Sequence, residues 1–289
     1  MSVVTAPLQR IDASAPQAAS GILVVEDIVK RFETPDGVLT AVDRVSLSVA
    51  PGEFVGVIGP SGCGKSTLFN VIGGLLDGYE GTVRVAGERV RGPHAAIGMI
   101  FQEESTFPWR NVLDNVAFPL EIAGLPKAER YDRARHFVKL VGLDGFERRY
   151  PAELSGGMRQ RVSMARTLAA QPKILLMDEP FASLDEQTRL LLGDKVLQIQ
   201  QQLKQTTLLI THNITEAVQL SDRVLVMTYR PGTVKRIVEI ELPRPRSSEI
   251  VSSDAFGRYV AQIWNDLREE ASRGLDDEEA RKLREGANR

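Results

Sequence analysis

The chain has 289 residues, 43% of them hydrophobic and 26% charged, with a formal net charge of −2. This composition is typical of a soluble globular protein that is long enough to bury a core. The small net charge excludes a strong overall basic field, so we expect no nucleic-acid partner. The single cysteine, Cys63, excludes an intrachain disulfide.

The N-terminal segment, residues 1–21, is rich in Ala, Ser, Pro and Gln. It lacks the basic start and apolar core of a secretory signal, and we expect a disordered leader. No apolar run in the chain approaches the roughly 18–20 residues of a membrane span. We therefore expect a cytoplasmic protein whose membrane role, if it has one, depends on a partner.

Strand-like residues follow the leader, with a turn at Thr34–Gly37. The apolar run Glu53–Gly59 then predicts a buried strand that ends at glycine, and the sequence KSTLFNVIGGLL predicts a helix after it.

Between that strand and that helix, Gly59–Thr67 (GPSGCGKST) fits the pattern G-x-x-x-x-G-K-[ST]. The glycines let several backbone N–H groups face one point, where the N-terminus of the helix favours an anion. We expect Lys65 to add a positive charge and Ser66 a hydroxyl ligand for Mg²⁺. Cys63 is interpreted as a small loop residue rather than as a nucleophile. The predicted phosphate-binding residues are Gly59, Pro60, Ser61, Gly62, Cys63, Gly64, Lys65, Ser66 and Thr67.

The sequence TVRVAGERV predicts a hairpin, and Ala96–Gln102 predicts another buried strand. Strand patterns then disappear, and helical spacing within KAERYDRARHFVKLVGL predicts a helical insertion at about residues 103–160.

The last part of the core alternates between strands and helices. The strands are predicted at Lys173–Asp178, Thr206–His212 and Arg223–Tyr229, with helices at about 156–170, 186–204 and 214–220. This alternation predicts an α/β fold with a parallel sheet covered on both faces. Asp178 would then lie at the carboxyl edge of the sheet, where it could hold Mg²⁺.

The run LSGGMRQR at Leu154–Arg161 stands after the glycine loop and before ILLMDEP at Ile174–Pro180. With these three motifs in this order, the chain resembles the ATP-binding subunit of an ABC transporter, from about Ile22 to Pro245. The resemblance implies a P-loop NTPase (RecA-like) α/β core, an antiparallel β subdomain and an inserted α-helical subdomain. It implies ATP and Mg²⁺ as cofactors.

The resemblance also implies roles for single residues. Glu179 would polarise the attacking water, His212 would hold the γ-phosphate and the water, and Gln102 would bond Mg²⁺ and the water. Gln102 would also couple nucleotide state to movement of the insertion. Phe32 would stack on adenine, with a core phenylalanine as the alternative. His94 and His136 have no such placement.

Ser155, Gly156 and Gly157 precede a predicted helix and so form an anion site. In the resembled family this site caps the γ-phosphate bound by a second copy, so that two chains enclose two ATP molecules head to tail. Ser183–Asp185 (SLD) would cross the interface, and Asp185 would approach the nucleotide.

With no membrane span, the permease would be a separate subunit, as is typical of bacterial importers in this family, and the chain would lie on the cytoplasmic face of the inner membrane. Phe101–Glu121 is the segment expected to receive a permease helix. Its Trp109 would form part of an exposed apolar socket or pack in the core. A periplasmic substrate-binding protein would be an indirect partner.

The segments PWRNVLDNVAFPLE and MTYRPGTVKRIVEIELPRPR resemble the nitrate/sulfonate/taurine import group, which implies a small organic or inorganic anion as cargo. The alternatives are a soluble ABC ATPase, for example of the iron–sulfur assembly type, and an export ATPase with a separate permease.

Residues 246–289 are predicted to form a C-terminal helical extension with a charged tail, with Asp254 as the N-cap. Its apolar stripe would pack on the domain or bind a partner. The stripe contains Phe256, Tyr259, Val260, Ile263, Trp264 and Leu267.

Overall fold

The computed structural model describes residues 21–287 except 36, 104 and 183, with side chains described up to residue 274. The predicted leader, apart from residue 21, lies outside the described residues, as does Ser183. The strands are β1 Leu23–Thr34, β2 Gly37–Val49, β3 Phe54–Ile58, β4 Glu80–Val85, β5 Glu88–Arg89, β6 Ile97–Ile100, β7 Ile174–Asp178, β8 Thr206–Ile210, β9 Arg223–Met227 and β10 Val234–Glu239. The α-helices are α1 Lys65–Ile72, α2 Val112–Ile122, α3 Lys127–Leu140, α4 Gly156–Ala169, α5 Glu186–Leu203, α6 Ile214–Leu220 and α7 Asp254–Ala287.

A six-stranded sheet forms the centre, in the order β10-β9-β3-β8-β7-β6. The five strands from β9 to β6 are parallel, and β10 pairs antiparallel with β9 at one edge. All residues of β3 and β8 are buried, as a parallel strand covered on both faces requires. The predicted α/β fold with a parallel sheet is confirmed.

A second, antiparallel sheet has the order β2-β1-β4-β5. β1 and β2 form a hairpin in which Thr34 pairs with Gly37, and β4 and β5 form the second predicted hairpin. A hydrophobic cluster buries residues of this sheet, among them Val25 and Val83, together with Phe69 of α1. The antiparallel β sheet therefore packs against the strand–loop–helix unit that contains the glycine loop.

Helices α2 and α3 fall within the predicted insertion, and α4, the helix predicted at about 156–170, begins at its end; the three helices pack against one another. Their core includes Val116 of α2, Phe137 and Val138 of α3, and Val162 of α4. Pro119 lies inside α2, where it removes one backbone donor from the helix. Because α4 also packs against β6, the three helices rest on the free edge of the parallel sheet.

Helix α1 is shorter than its sequence predicts and ends at Ile72. Gly74 has φ +71°, and a Cβ at this position would lie 2.1 Å from the carbonyl oxygen of Gly92. The chain thus leaves the helix through a left-handed turn that passes close to another backbone segment, which glycine alone allows without strain.

The prediction of Asp254 as the N-cap of α7 is wrong by one residue. The helix includes Asp254, and the hydroxyl of Ser253 accepts a hydrogen bond from the Phe256 amide at 3.2 Å. Phe256 and Ile263 are buried in a cluster with residues of β9 and β10, and Tyr259, Val260 and Leu267 pack against it, so this part of the apolar stripe packs on the domain. The prediction is wrong for Trp264, which is 54% exposed.

The pairing register brings the carboxyl ends of the parallel strands to one edge. Val57 of β3 pairs with Ile210 of β8 and Leu225 of β9, and Ile210 also pairs with Asp178 of β7. The segments that follow these strands contain most of the predicted site residues. Within the described part of the chain, no helix is both long and apolar enough to span a membrane.

Candidate functional site

The loop between β3 and α1 has the backbone geometry of an anion-binding loop. Gly62 and Gly64 have φ +72° and +98°, which few other residues adopt. A Cβ on Gly64 would lie 2.5 Å from the carbonyl oxygen of Ala41, so the loop also lies close to β2. Alternating backbone conformations of this kind turn successive N–H groups towards one point at the N-terminus of α1.

Lys65 lies inside this loop and is only 7% exposed. Its Nζ donates hydrogen bonds to the carbonyl oxygens of Gly59 and Pro60, at 2.8 and 2.9 Å. Its third contact is a long hydrogen bond to Cys63 Sγ at 4.0 Å, which an anion held by the loop could replace as the acceptor.

Cys63 is fully buried beneath the loop, and burial raises the pKa of its thiol. A buried cysteine with a raised pKa is a poor nucleophile. This agrees with its interpretation as a small residue that fits the loop.

Ser66 and Asp178 lie side by side, the serine at the start of α1 and the aspartate at the end of β7. Ser66 Oγ donates to Asp178 Oδ1 at 3.4 Å, and burial raises the pKa of Asp178 against the effect of this bond. Within the described residues, no group of three or more His, Cys, Asp or Glu side chains could hold a metal by itself. One carboxylate and one hydroxyl fit Mg²⁺, which proteins usually bind through few side chains plus substrate phosphates.

Glu179 and His212 face each other across the ends of β7 and β8. Glu179 Oε2 lies 3.1 Å from His212 Nδ1. Glu179 has φ +46°, a left-handed conformation that costs on the order of 1 kcal/mol for a residue other than glycine. Its amide donates to the carbonyl oxygen of Ile210 at 2.9 Å, which holds the strained residue in place. Strain at this position is typical of a functional site.

The remaining predicted residues of this half of the site are more exposed. Gln102 follows β6, is exposed, and has no hydrogen bond to Asp178 or Glu179 in the described part of the chain.

Phe32 is half-buried on β1 and belongs to none of the hydrophobic clusters of the described residues. Lys30 Nζ lies 5.0 Å from the centre of the Phe32 ring. This position disfavours a core role for Phe32 and leaves adenine stacking as a prediction.

The segment Ser155–Gly157 starts α4, at a distance along the chain from the glycine loop. Ser155 is the N-cap, and its hydroxyl accepts from the Met158 amide at 3.4 Å. In the described residues no hydrogen bond joins this segment to the glycine loop.

Asp185 caps α5 by accepting from the amide and hydroxyl of Thr188, and these bonds lower its pKa.

Comparison with known proteins identifies the family. The family model described as "ABC transporter" matches residues 42–182. An uncharacterised ABC transporter ATP-binding protein of Methanocaldococcus jannaschii is 50% identical over 88% of this chain and 94% of its own length. This chain belongs to the ABC transporter ATP-binding proteins.

Two further relatives of the family have import functions in their names. A nitrate import ATP-binding protein of Synechocystis sp. is 43% identical over 85% of this chain and 95% of its own length. An aliphatic sulfonates import ATP-binding protein of Bacillus cereus is 41% identical over 82% of this chain and 94% of its own length.

Solved structures of ABC proteins share the fold. A dimeric ATP-binding cassette in a post-hydrolysis state, bound to ADP and Pi, matches with TM-score 0.67 and 30% identity over 76% of this chain and 100% of that chain. A subunit of the cbiONQ transporter complex from Clostridium perfringens matches with TM-score 0.71 and 26% identity over 84% and 95% of the two chains. As a member of the ABC family, this chain binds ATP and couples its hydrolysis to transport.

Sequence reasoning missed the structural roles of two residues, Asn115 and Arg230. Buried Asn115 accepts from the Phe107 amide at 2.8 Å and donates to the carbonyl oxygens of Phe107 and Arg110. Arg230, after β9, donates to the carbonyl oxygen of Gly62 at 2.8 Å. The signals available in the sequence were an asparagine among the apolar residues of VLDNVAFPL and an Arg-Pro-Gly turn after an apolar strand.

Trp109 is 73% exposed, so of its two predicted placements, core packing is wrong. The loop that contains it is ordered by Asn115, and the Phe107 ring packs edge-on against Phe118 with centroids 4.7 Å apart. A large aromatic side chain is thus presented outward from an ordered loop.

Proposed function

We propose that this chain is the ATP-hydrolysing subunit of an importer for a small anion of the nitrate or sulfonate type, and that it works as a head-to-tail dimer. The observation that supports this most strongly is the 41–43% identity, over most of both chains, to nitrate and sulfonate import ATP-binding proteins. The placement of the glycine loop, Asp178, Glu179 and His212 at one edge of the sheet is further support for it.

ATP would bind with its phosphates in the loop Gly59–Thr67 and its adenine on the exposed face of Phe32. Stacking of a base on an aromatic ring contributes roughly 1–3 kcal/mol. Lys65 would compensate phosphate charge, while Ser66 and Asp178 would hold Mg²⁺. When it is bound there, Mg²⁺ would neutralise the negative charge that develops on the phosphate oxygens.

Hydrolysis would depend on the pair Glu179 and His212. Their side chains lie 3.1 Å apart, so that both can contact one water beside the γ-phosphate. Glu179 would orient this water for in-line attack, and His212 would hold the γ-phosphate. Gln102, at the junction of β6 and the helical insertion, would contact the water and Mg²⁺ when nucleotide is bound.

A second copy would complete each site. Ser155–Gly157 forms the N-terminus of α4, with free N–H groups that suit a phosphate. The solved ATP-binding cassette described above is dimeric with ADP and Pi bound, which supports a dimer here. Leu184 would lie 3.6 Å from a Cβ on Gly157, so the adjacent Asp185 would lie at the interface between the copies.

A permease would dock on the side of the insertion. An open groove of about 450 Å³ lies along β6, which leads into the insertion, and is lined by Leu75, Pro93, Met99, Phe101 and four further residues. Phe101 is 39% and Leu75 49% exposed, and Trp109 projects from the same segment of chain. An exposed apolar groove and an exposed aromatic side chain on the segment that follows it suit a short helix of a membrane subunit.

Such docking would place the chain on the cytoplasmic face of the inner membrane. A periplasmic binding protein would deliver the anion to the permease, so that this chain would never contact the cargo. An export ATPase and a soluble ABC ATPase are the alternatives, and the import names of the relatives disfavour both.

Deletion of the gene and growth at low concentrations of single nitrogen or sulfur sources test the import function. We expect lost growth on nitrate or on a sulfonate, restored by the wild-type gene and not by Glu179→Gln. Unchanged growth on every small anion tested, in a strain without a second such system, would contradict the proposal.

A further inference from the structure

The turn after β9, residues 228–233, packs directly on the outside of the anion loop. Arg230 Nε donates to the carbonyl oxygen of Gly62 at 2.8 Å. A Cβ on Gly62 would lie 2.7 Å from Arg230 Nη2, and one on Gly232 would lie 2.0 Å from the carbonyl oxygen of Cys63. Gly232 therefore allows a close approach of two backbone segments that a side chain would block, while Gly62, with φ +72°, leaves room for the Arg230 guanidinium.

This turn is itself well ordered. Thr228 Oγ1 donates to the carbonyl oxygen of Pro231 and accepts from the Thr233 amide, both at 2.9 Å. Gly232 donates to the carbonyl oxygen of Ala41 at 3.0 Å, which fixes the turn to β2 as well. Arg230 is thus attached to a rigid support.

On its other side, the turn is held by a buried carboxylate of α7. Glu270 is 1% exposed, and its Oε2 accepts from the Tyr229 amide at 3.0 Å. Its Oε1 lies 2.9 Å from Lys235 Nζ and 3.1 Å from Arg273 Nη1. Burial opposes ionisation, but the hydrogen bonds from Lys235 and Tyr229 outweigh it, so the pKa of Glu270 is lowered. Glu270 is therefore a charged anchor.

The bond from Arg230 has a consequence for the loop. The carbonyl of Gly62 and the amide of Cys63 belong to one planar peptide unit, in which they point in opposite directions. With the carbonyl held outward by Arg230, the Cys63 amide is directed across the loop, where it donates a hydrogen bond to the carbonyl oxygen of Pro60 at 3.3 Å. This bond closes the turn from Pro60 to Cys63, and the shape of that turn determines how well the loop can bind a phosphate.

We propose that Arg230 and Glu270 are positioning residues of the anion loop, through which the C-terminal helix α7 sets the affinity for ATP. The contacts run from Glu270 to Tyr229, from the adjacent Arg230 to Gly62, and from there through the Cys63 amide to the turn of the anion loop. The inference rests on the nucleotide site proposed above and extends it to a helix outside the ATPase core.

Titration of the purified full-length chain with a fluorescent ATP analogue tests this. We expect Arg230→Gln to weaken binding by about tenfold, as loss of a charge-assisted hydrogen bond implies. Arg230→Lys should retain most of the affinity, because its Nζ can reach the same carbonyl. In steady-state hydrolysis the loss should appear as a raised KM with kcat nearly unchanged.

Glu270→Gln tests the contribution of the helix. Glutamine keeps the size but cannot accept from Tyr229 and Lys235 at once, so binding should weaken by roughly threefold to tenfold. Glu269→Gln is the matched control, since Glu269 bonds Lys235 from the surface and does not contact the turn. Its affinity should equal that of the wild type.

A double variant separates a shared path from two independent effects. Arg230→Gln with Glu270→Gln should weaken binding by less than the product of the single effects. Unchanged affinity of folded Arg230→Gln, as judged by its thermal melt, would overturn the proposal, and so would equal affinities of Glu270→Gln and Glu269→Gln. Absence of binding to the wild type would instead overturn the nucleotide site itself.

Discussion

Glu179 Oε2 and His212 Nδ1 lie 3.1 Å apart across the ends of two adjacent parallel strands, β7 and β8. The relationship depends on register, since Asp178 pairs with Ile210 and the next residues of both strands leave the sheet side by side. Two groups suited to hold one water therefore meet beside the anion loop, at the carboxyl edge of the sheet.

Replacement of the carboxylate by its amide tests the role of Glu179. Glu179→Gln should bind ATP as the wild type does, lose hydrolysis by at least about a hundredfold, and accumulate as an ATP-bound dimer. Phosphate release and gel filtration with ATP measure both effects. The exposed Glu249→Gln serves as control, and sustained turnover by Glu179→Gln would show that another residue orients the water.

A bulky charge at the start of α4 tests the head-to-tail dimer. Ser155 is the N-cap and belongs to the anion site assigned to the other copy, so Ser155→Arg should leave nucleotide affinity unchanged within about twofold and abolish hydrolysis. Ser155→Thr keeps a hydroxyl cap and should retain activity. Normal hydrolysis by the arginine variant would mean that each chain contains a complete site.

Buried Glu216 predicts a pH-dependent stability. Its Oε2 accepts from Thr211 Oγ1 at 2.7 Å, its Oε1 has no partner among the described residues, and burial raises its pKa to about 7. The charged groups that act on it are Arg189, Glu179 and Glu186. Because the folded state binds the proton more tightly than the unfolded state, ionisation reduces stability as the pH rises from 4.5 towards 7, and the full loss is present above that.

Glu216→Gln cannot ionise and should gain stability relative to the wild type over this pH range, by roughly 1–3 kcal/mol. Denaturant unfolding at pH 5 and pH 8 measures the difference, and the exposed Glu249→Gln should follow the wild type. Parallel pH profiles for wild type and Glu216→Gln would show that the carboxyl is ionised throughout or solvated.

Asn115 orders the loop that presents Trp109. Asn115→Leu preserves size but leaves the Phe107 amide and the Arg110 carbonyl without this partner, so stability should fall by roughly 2–4 kcal/mol. The loop should become sensitive to limited proteolysis. Gln201→Leu, the same type of change at an exposed position of α5, should alter stability by about 0.5 kcal/mol or less. A loop equally resistant in both variants would show that Phe107 alone holds it.

The sequence was sufficient wherever a local pattern determines the outcome. β3, β7, β8 and β9 are continuous apolar runs that end at glycine or at a polar residue, and the resulting edge contains Asp178 and His212. The glycine loop could likewise be predicted from its own residues, Gly59–Thr67. The roles of Phe32 and Gln102 stay predictions, because they depend on contacts with a nucleotide rather than on contacts within the chain.

What the sequence did not predict depends on contacts between distant segments. Arg230 lies 168 positions from Gly62, and Glu270 lies 41 positions from Tyr229. No periodicity relates such pairs. Exposure of Trp109 likewise follows from the satisfied hydrogen bonds of Asn115, and the early end of α1 from the approach of Gly92 to Gly74. Ser253 rather than Asp254 caps α7, since cap position is uncertain by a residue from sequence.

Affinity purification of the tagged chain from detergent-solubilised membranes, followed by mass spectrometry, tests the central claim most directly. The account predicts a multi-span permease in stoichiometric amount, lost when Trp109→Asp places a charge in the docking surface. Recovery of soluble proteins alone, from membranes in which the wild-type chain is present, would contradict the transporter function and favour a soluble ABC ATPase.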